Sequence, residues 1–550
     1  VANILNVGTS ALLSLQQAIT TTGHNIANVN TDGYSRQRVN FDTLTPQISG
    51  GSYIGSGVAT DSIERIFDQF LTSEVRNRTS SQSGFQAFSE LASRMDGLLA
   101  DPYVGLAPKL ESFFGALQDV SNNPGSLPER QVLLGEAQAL ADSFHYLDSN
   151  FRGINDELNV RIETTVSDIN SLARNIAELN EQVVRATAEA GGAPPNDLLD
   201  TRDQLITELS KKIDVTTVEQ TDGAINVMVG NGQALVVGFS AQSLQTFDNP
   251  YDGTQTLVGI ANAAGSVVDL GRFLDGGELG AALDFREQVL DPAINQLGLV
   301  AMGITDTFNE QHQLGVDLNG QPGGDFFLPL NATFSANPNN SGASSITVAI
   351  SDAAALAGDD YNLRYGGGQW TLTNLSTNVS QTGAGPFAVD GLTINVAGAP
   401  VDGDAFLIQP TRQGATLFDV VLNSTEDFAA AGDELIIENN ANGTGDNRNA
   451  LALAGLQTSN LLNGGKASYQ DAYGSLVADI AVKTRQAESA ANTEQVLLNQ
   501  SIAARDSVSG VNLDEEAANL IRFQQAYQAA AQVISVADEM FQVLLNATRR

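Results

Sequence analysis

Cysteine is absent from the 550 residues, and histidine occurs only three times. Without cysteine the chain forms neither disulfides nor thiolate metal sites, and it has no cysteine nucleophile. The histidines, His24, His145 and His312, stand far apart in different predicted elements, so no histidine metal cluster is expected. Nothing singles out a catalytic pair among the carboxylates. We therefore expect no catalytic site, no metal and no cofactor.

Basic residues and long apolar runs are also scarce. Lys and Arg number 27 against 64 Asp and Glu, which gives a net charge of -37. Such a chain repels nucleic acid and anionic membranes, so neither is an expected partner. The sequence has no run of 18 apolar residues and no basic region followed by an apolar core. If the protein is exported, we expect a route without a cleaved signal.

Charge is missing altogether from residues 1–31. Apolar and small residues recur there at a seven-residue spacing, which is the a and d pattern of a heptad helix. The first series is Leu5, Leu12, Ile19 and Ile26, and the second is Gly8, Leu15, Thr22 and Val29. Asparagine and glutamine fill much of the rest, so the predicted helix has a polar but uncharged exterior.

The last forty residues repeat this plan. One series is Leu513, Leu520, Tyr527, Ile534 and Phe541, and the other is Phe523, Ala530, Ala537 and Leu544. Asn512 followed by Glu515 predicts a capping box at the start of this helix. Residues 523–537 again carry no charge.

Two interpretations fit these ends. In the first, they are two core helices of a single globular domain. In the second, they pair as a coiled coil that then packs against identical copies. Like charges repeated around a symmetric tube repel one another, and neutral polar residues avoid this cost.

The middle of the chain reads as mainly helical. "SLPE" at Ser126 predicts a capping box, and the helix it starts runs to about Ala190, unless Gly153 interrupts it. Such a helix spans about 90 Å. "NDLLDTRDQLITELS" is predicted to start a new capped helix, and further helices are predicted from about Leu279 to Gln313 and from Asn449 to about Arg505.

Two β segments interrupt the helices. "TVEQTDGAINVMVGNGQALVVG" predicts strands joined by Asp-Gly and Asn-Gly turns. The second segment, about 336–410, contains "ITVAI", "YNLRYGGGQWTLTNL", "LTINVAG" and "DAFLIQP". The predicted fold class is therefore mainly α with β insertions: terminal heptad helices paired as a coiled coil, a long-helix bundle body and an outer β domain. The predicted ranges are 1–60 and 506–550 for the inner coiled coil, 61–214, 273–330 and 441–505 for the helical body, 215–272 for a small β insertion, and 331–440 for the outer β domain.

The terminal segments resemble a known family. "SALLSLQQAITTTGHNIANVNTDGYSRQ" and "SGVNLDEEAANLIRFQQAYQAAAQVISVADEMFQVLLN" are similar to the end motifs of bacterial flagellar axial proteins of the rod, hook and junction group. In that family the Asn-rich segment ends the first helix and turns the chain outward. The resemblance thus assigns this turn to Asn25, Asn28, Asn30, Gly33, Tyr34 and Arg36. Without it, the same stretch reads as an ordinary surface loop.

Three internal segments narrow the resemblance. "NNPGSLPERQVLLGEAQALADSF", "PNDLLDTRDQLITELS" and "GDNRNALALAGLQ" resemble the first hook-associated proteins of the hook–filament junction. This implies an extracellular, secreted adaptor ring without enzymatic activity. The implied partners are identical copies in the ring, flagellar hook protein, the second hook-associated protein, and a cytoplasmic export chaperone at the C-terminus. The alternatives are another axial protein, such as a hook protein without the long helix, and an exported axial protein with an enzymatic insert.

Overall fold

A computed structural model of the chain describes residues 2–49, 52–102, 104–262, 265–432 and 443–548. The α-helices of these ranges are α1 Ala2–Ala27, α2 Gln69–Leu99, α3 Leu106–Asn122, α4 Leu127–Glu189, α5 Asn196–Lys212, α6 Gly277–Phe285, α7 Asp291–Gln313, α8 Gly414–Leu417, α9 Arg448–Gly455, α10 Tyr469–Ser509 and α11 Leu513–Thr548. The predicted boundary between residues 440 and 441 lies outside the described residues.

Strands occupy four regions between the helices. The first region is a hairpin of β1 Gln37–Thr43, β2 Gln47–Ser49, β3 Ser52–Ile54 and β4 Val58–Arg65. The second is β5 Val215–Glu219, β6 Ile225–Val229, β7 Gln233–Val237, β8 Ser240–Ala241, β9 Leu244–Asp248, β10 Thr256–Ala261 and β11 Val267–Asp269. The third is β13 Thr333–Ala336, β14 Ser345–Ile350, β15 Tyr361–Gly366, β16 Gln369–Asn374, β17 Ser380–Gly383, β18 Phe387–Val389, β19 Leu392–Ala397 and β20 Ala405–Gln409. The short strands β12 Gly315–Val316 and β21 Ala431–Gly432 pair in the helical body.

The long helix α4 confirms the prediction of one unbroken helix. Its 63 residues span about 90 Å, and Gly153 lies inside it without disturbing it. Apolar residues at helical spacing put one face of α4 into the body core. The buried side chains of this face include Leu133, Leu140, Phe144, Leu147, Phe151, Leu158, Ile162, Ile169 and Ile176.

A second face of α4 holds the small β insertion through asparagine side chains. Asn155 and Asn159 both donate to the carbonyl of Thr254. Farther along, Asn170 bonds to both backbone groups of Leu244, and Asn180 bonds to both backbone groups of Ile225. These amides satisfy backbone groups of the insertion in a turn at Thr254 and in the first residues of β9 and β6.

The predicted hairpins of this insertion are confirmed. β5 pairs with β6 and β6 with β7, all antiparallel, in the order β5-β6-β7-β8. Gly223 and Gly232 lie in the two turns with φ of 89° and 97°. Only glycine adopts such a backbone without strain, so the Asp-Gly and Asn-Gly pairs set the turns.

Two predicted helix starts were wrong in detail. Ser126 precedes α4 but makes no side-chain capping bond, so the predicted capping box is absent. α5 starts without a side-chain cap, because its N-cap residue is Pro195, which has no side-chain acceptor. Asn196 is the first helical residue and donates to the carbonyl of Ile63 in β4. At α11, the side chain of Asn512 accepts from the amides of Asp514 and Glu515, as a cap should.

Two predicted helices are also interrupted. The helix predicted from about Leu279 starts at Gly277 and contains a π-helical turn at 286–290, where the Arg286 guanidinium bonds to Asn159 of α4. The helix predicted from Asn449 to about Arg505 is two helices, α9 and α10. They are separated by a turn in which Gly464 and Gly465 have φ of 72° and 74°, a conformation that ends helices.

The body core is rich in phenylalanine and contains His312. The His312 ring accepts from the Ala429 amide at Nε2 (2.9 Å) and lies 2.7 Å from the Gly324 carbonyl at Nδ1, so it donates there as the neutral tautomer. Burial lowers the pKa of His312. The histidine is thus a packing and hydrogen-bonding residue of the core, next to Phe326 and Phe428.

The outer strands form two sheets around their own core. The five-stranded sheet has the order β13-β20-β15-β16-β17, and the three-stranded sheet has the order β14-β19-β18. Their shared core includes Trp370 and one residue of the body, Leu299 of α7. Beside this contact, Asn295 of α7 donates to the Asp360 carboxylate at 2.9 Å.

Asp360 makes this attachment dependent on pH. Its burial raises its pKa to about 6, although it accepts from Gln409 and lies near Arg412. The folded pKa exceeds the unfolded one, so the penalty of the charge is absent below pH about 4 and complete above pH about 6. We expect Asp360→Asn to stabilise the outer β domain by about 1–3 kcal/mol at pH 8 and to have no effect at pH 4.

Fluorescence of Trp370, the single tryptophan of the chain, would follow this change, because the residue is 3% exposed in the outer core. Asp402→Asn removes an exposed carboxylate of the same domain and serves as the control. Equal melting of Asp360→Asn and the parent protein at pH 8 would contradict the prediction.

Candidate assembly site

The terminal helices α1 and α11 pack against each other in antiparallel orientation. Gly8 lies at Ile534, where an added Cβ would come within 2.6 Å of the Ile534 side chain. At the other end of the pair, Asn25 bonds to Glu516. Gly8 therefore sets a close approach that a larger residue would prevent.

The predicted heptad residues of α1 and α11 differ in burial. Half-buried side chains of the two series are Leu5, Leu12, Leu15, Ile19, Ile26, Val29, Leu520, Phe523 and Ile534. Four others are exposed in the single chain: Leu513 (50%), Tyr527 (36%), Phe541 (45%) and Leu544 (54%). Their predicted role in packing remains a prediction, because a single pair of helices does not cover them.

Apolar side chains outside the predicted series are also exposed on α11. They are Ile521, Val533, Val536, Met540, Val543 and Leu545. The surface of α11 is thus both apolar and uncharged over much of its length. Exposed apolar areas of this kind mark sites where other proteins bind.

A network of hydrogen bonds links the helix pair to the hairpin of β1 and β4. We call this network the joint; its residues are Asn25, Tyr34, Arg36, Gln37, Glu515 and Glu516. Asn25, which is 1% exposed, accepts at Oδ1 from the Gln37 amide (2.9 Å) and the Tyr34 hydroxyl (2.8 Å). Its Nδ2 donates to the Gln37 carbonyl (2.9 Å) and to Glu516 Oε2 (3.1 Å). All four bonding positions of the amide are used, so no other residue type fits this place.

Arg36 fastens the same joint to the start of α11. Its Nε donates to Glu516 Oε1 and its Nη1 to Glu515 Oε2, both at 2.7 Å. The Arg36 amide also donates to the carbonyl of Ser509, the last residue of α10. Glu515 is therefore occupied by Arg36 and not by the N-cap backbone, which revises the predicted capping box.

Two aspartates of α5 connect the joint to the helical body. Asp200 accepts from the Ser35 amide (2.8 Å) and from Arg65 (2.9 Å). Asp203, one turn later, accepts from Arg65 (2.6 Å) and Arg76 (2.7 Å). Burial raises the pKa of Asp200, although the Ser35 amide and Arg65 oppose the shift. Such paired and bonded charges are costly to separate.

The remaining turn residues have different places. Asn28 donates to the His24 carbonyl at 3.0 Å and ends α1, while the exposed Asn30 makes no such contact in the described chain. Gly33 has φ of 79°, which favours glycine in the turn. Burial, and then the nearby acids, raise the pKa of Tyr34, so its hydroxyl stays protonated and donates.

Sequence reasoning missed the residues that receive these bonds. Asp200, Asp203, Arg65 and Arg76 lie far from the terminal motifs in sequence and were not singled out. The available signal was the i, i+3 spacing of Asp200 and Asp203, which puts both carboxylates on one face of a predicted helix.

The described residues offer no group of three or more His, Asp or Glu side chains that could hold a metal ion. Within the same ranges, no helix is long and apolar enough to cross a membrane.

Comparison with known families accounts for most of the chain. The family model for the flagellar hook-associated protein FlgK helical domain matches residues 92–327, and that for the D2-like domain of flagellar hook-associated protein 1 matches 335–410. The terminal segments match two basal-body families: flagella basal body rod protein at 5–34 and the C-terminal family of flagellar basal body rod FlgEFG proteins at 505–547.

Individual relatives agree with these matches along the whole chain. Flagellar hook-associated protein 1 of Salmonella typhimurium is 35% identical over 99% of this chain and 100% of its own length. That of Escherichia coli is 34% identical over the same shares. The solved flagellar hook junction protein FlgK from Burkholderia pseudomallei has a TM-score of 0.73 and 25% identity, and covers 80% of this chain and 100% of its own. The chain belongs to the family of flagellar hook-associated protein 1, FlgK.

Proposed function

We propose that this chain is the structural adaptor that joins the flagellar hook to the filament, and that it assembles as a ring of identical copies. The observation that carries the proposal is the pair α1 and α11: α1 has a polar exterior without charge, and α11 exposes apolar side chains with no charge over residues 523–537, on a chain of net charge -37. Copies with this much like charge associate where charge is absent. Membership of the flagellar hook-associated protein 1 family supports the junction of hook and filament as the place of assembly.

The neighbours of such a ring are the hook protein on one side and the second hook-associated protein on the other. A cytoplasmic export chaperone covers the C-terminal helix before export. The exposed side chains of α11, such as Val536 and Val543, support this step, because uncovered apolar surface of this size favours aggregation. After export, the protein works outside the cell.

The hook-protein alternative is the weaker one, because α4 is the long helix that it was expected to lack. An enzymatic insert would need a catalytic group in the outer strands, and no such constellation stands out in the described part of this domain. We therefore favour the structural adaptor over both alternatives.

The test is genetic. Deletion of the gene for this protein in its own cells should give hooks without attached filaments. The full chain supplied from a plasmid should restore the filaments. Filaments on the deletion strain would reject the adaptor role.

The outer β domain should be dispensable for this function. Thr333 and Gln409 are paired at its base, so replacing residues 334–408 with a short Gly-Ser linker closes the gap over about 5 Å. Body melting, followed by circular dichroism, should fall moderately, because Leu299 of α7 loses its packing in the outer core, and filaments should still attach.

A longer deletion provides the contrast. Extending it through Phe418 removes a fully buried ring that packs 4.6 Å from Phe144 of α4, and this should destabilise the body by about 3–5 kcal/mol. Loss of attachment in the shorter deletion, with its body still folded, would make the outer domain an assembly surface.

A further inference from the structure

The tip of the first hairpin presents a second uncharged apolar surface. We define the hairpin tip as residues 44–49 and 52–56. The sequence has no charged residue from 43 to 60. Ile48 is 70% exposed and Tyr53 is 77% exposed, and Leu44 and Ile54 are exposed beside them.

The hairpin tip is a ribbon of two strands, β2 and β3, and no other strand among the described residues pairs with its outer edges. Two-stranded ribbons are marginally stable in water unless another element covers them. The base of the hairpin is covered, since Ser14 of α1 donates to the Val58 carbonyl and Gly57 lies against Val7 and Ser10. The side chains of Ile48 and Tyr53 in the tip are mostly exposed instead.

These contacts also fix the level of the tip along the helix pair. Gly57 lies at the first turns of α1, and Gly8 in those turns lies at Ile534 of α11. The tip therefore stands at the same end of the pair as the second half of α11. That half exposes one apolar face, made of Val533, Val536, Met540 and Val543. Their spacings of three and four residues place them on one side of the helix.

We propose that the hairpin tip of one copy packs on this face of α11 in the neighbouring copy. The proposal rests on the proposed ring. Each copy carries a charge of -37, so copies approach most easily where both surfaces are neutral, and the tip and this face are both apolar and nearly free of charge. Two different surfaces in contact make a head-to-tail interface, which generates a ring or helix of copies.

Charge placed on the tip should prevent this contact without harm to the fold. The double substitution Ile48→Asp and Tyr53→Asp should leave monomer melting unchanged, because both side chains are exposed. It should reduce the number of filament-bearing cells at least tenfold. Val379→Asp, at a 63% exposed position of the outer β domain, is the matched control and should have no effect.

Disulfide cross-linking tests the contact itself. The chain has no cysteine of its own, so each of its thiols is an introduced one. A chain with both Tyr53→Cys and Val536→Cys should form a ladder of disulfide-linked copies when assembled cells are oxidised. Chains with either cysteine alone should form no ladder. Dimers from Tyr53→Cys alone would show a tip-to-tip contact, and a product with hook protein would show another occupant; both results would overturn the proposal.

The outcomes separate this contact from the adaptor role. If the parent chain restores filaments but the double Asp variant does so equally well, the tip contact is wrong and the adaptor role stands. If the parent chain itself fails to restore filaments, the adaptor role is wrong.

Discussion

Replacing Asn25 with aspartate is expected to release both terminal helices from the helical body at neutral pH. Asparagine and aspartate have the same shape, so the bonds from Tyr34 and Gln37 to Oδ1 survive. The second oxygen, however, takes the place of Nδ2 at 3.1 Å from Glu516 Oε2 and 2.9 Å from the Gln37 carbonyl. An unpaired buried charge of this kind costs about 3–5 kcal/mol.

Hydrogen exchange of the α1 and β1 amides would measure the release of the helices. Exchange should be faster in Asn25→Asp than in the parent chain at pH 7, and the difference should shrink at pH 5. Burial beside Glu516 raises the pKa of the introduced carboxyl, and once protonated it donates as the amide did. Asn30→Asp changes an exposed residue of the same turn and should leave exchange unchanged. Equal protection in the two variants would refute the role of the joint.

Replacing Ala531 with glutamate should block assembly and leave the monomer intact. Ala531 is exposed on α11 within the uncharged stretch, and glutamate is a good helix former. Monomer stability should change by less than about 0.5 kcal/mol. In a ring, each copy brings one carboxylate near those of its neighbours. Repulsion at about 10 Å is roughly 1–2 kcal/mol per neighbour at an effective dielectric near 20.

Ala531→Gln separates charge from size and should assemble almost normally. Junction formation and motility of both variants, at low and high salt, would measure the difference. Salt should partly rescue the glutamate variant, because ions screen exposed charges. Normal assembly of Ala531→Glu at low salt would remove the electrostatic explanation for the uncharged ends.

The sequence was sufficient to predict elements that depend on local patterns. The α4 helix follows from apolar spacing over many turns, and the turns at Gly223 and Gly232 follow from the Asp-Gly and Asn-Gly pairs. Both signals lie within a few residues of the structure they determine.

Contacts between distant segments were not predictable in the same way. The capping box predicted at Asn512 failed because Glu515 bonds to Arg36, which lies 479 positions away in the chain. Likewise, the joint could be assigned to its turn residues by resemblance, but Asp200 lies 165 positions from the amide it binds. A pattern in one segment does not state which distant group will satisfy it.

The contact between α4 and the small β insertion is a long-range contact that has a local sequence signal. Asn155, Asn159, Asn170 and Asn180 fall on one face of α4, because at about 100° per residue they lie within an arc of about 80° around the helix. Asparagine repeated on one face, in place of the charged residues that usually face water, was the available signal that this face binds other backbone groups.

The asparagine bonds to the β insertion stiffen α4 against bending. A bare helix of 63 residues bends under a lateral load, but here any bend would stretch amide bonds to the β insertion at Thr254, Leu244 and Ile225 together. Between Asn155 and Asn180, force on the helix is therefore shared with the β insertion. In a part placed between a rotating hook and a filament, such bracing lets torque pass through the subunit with little deformation.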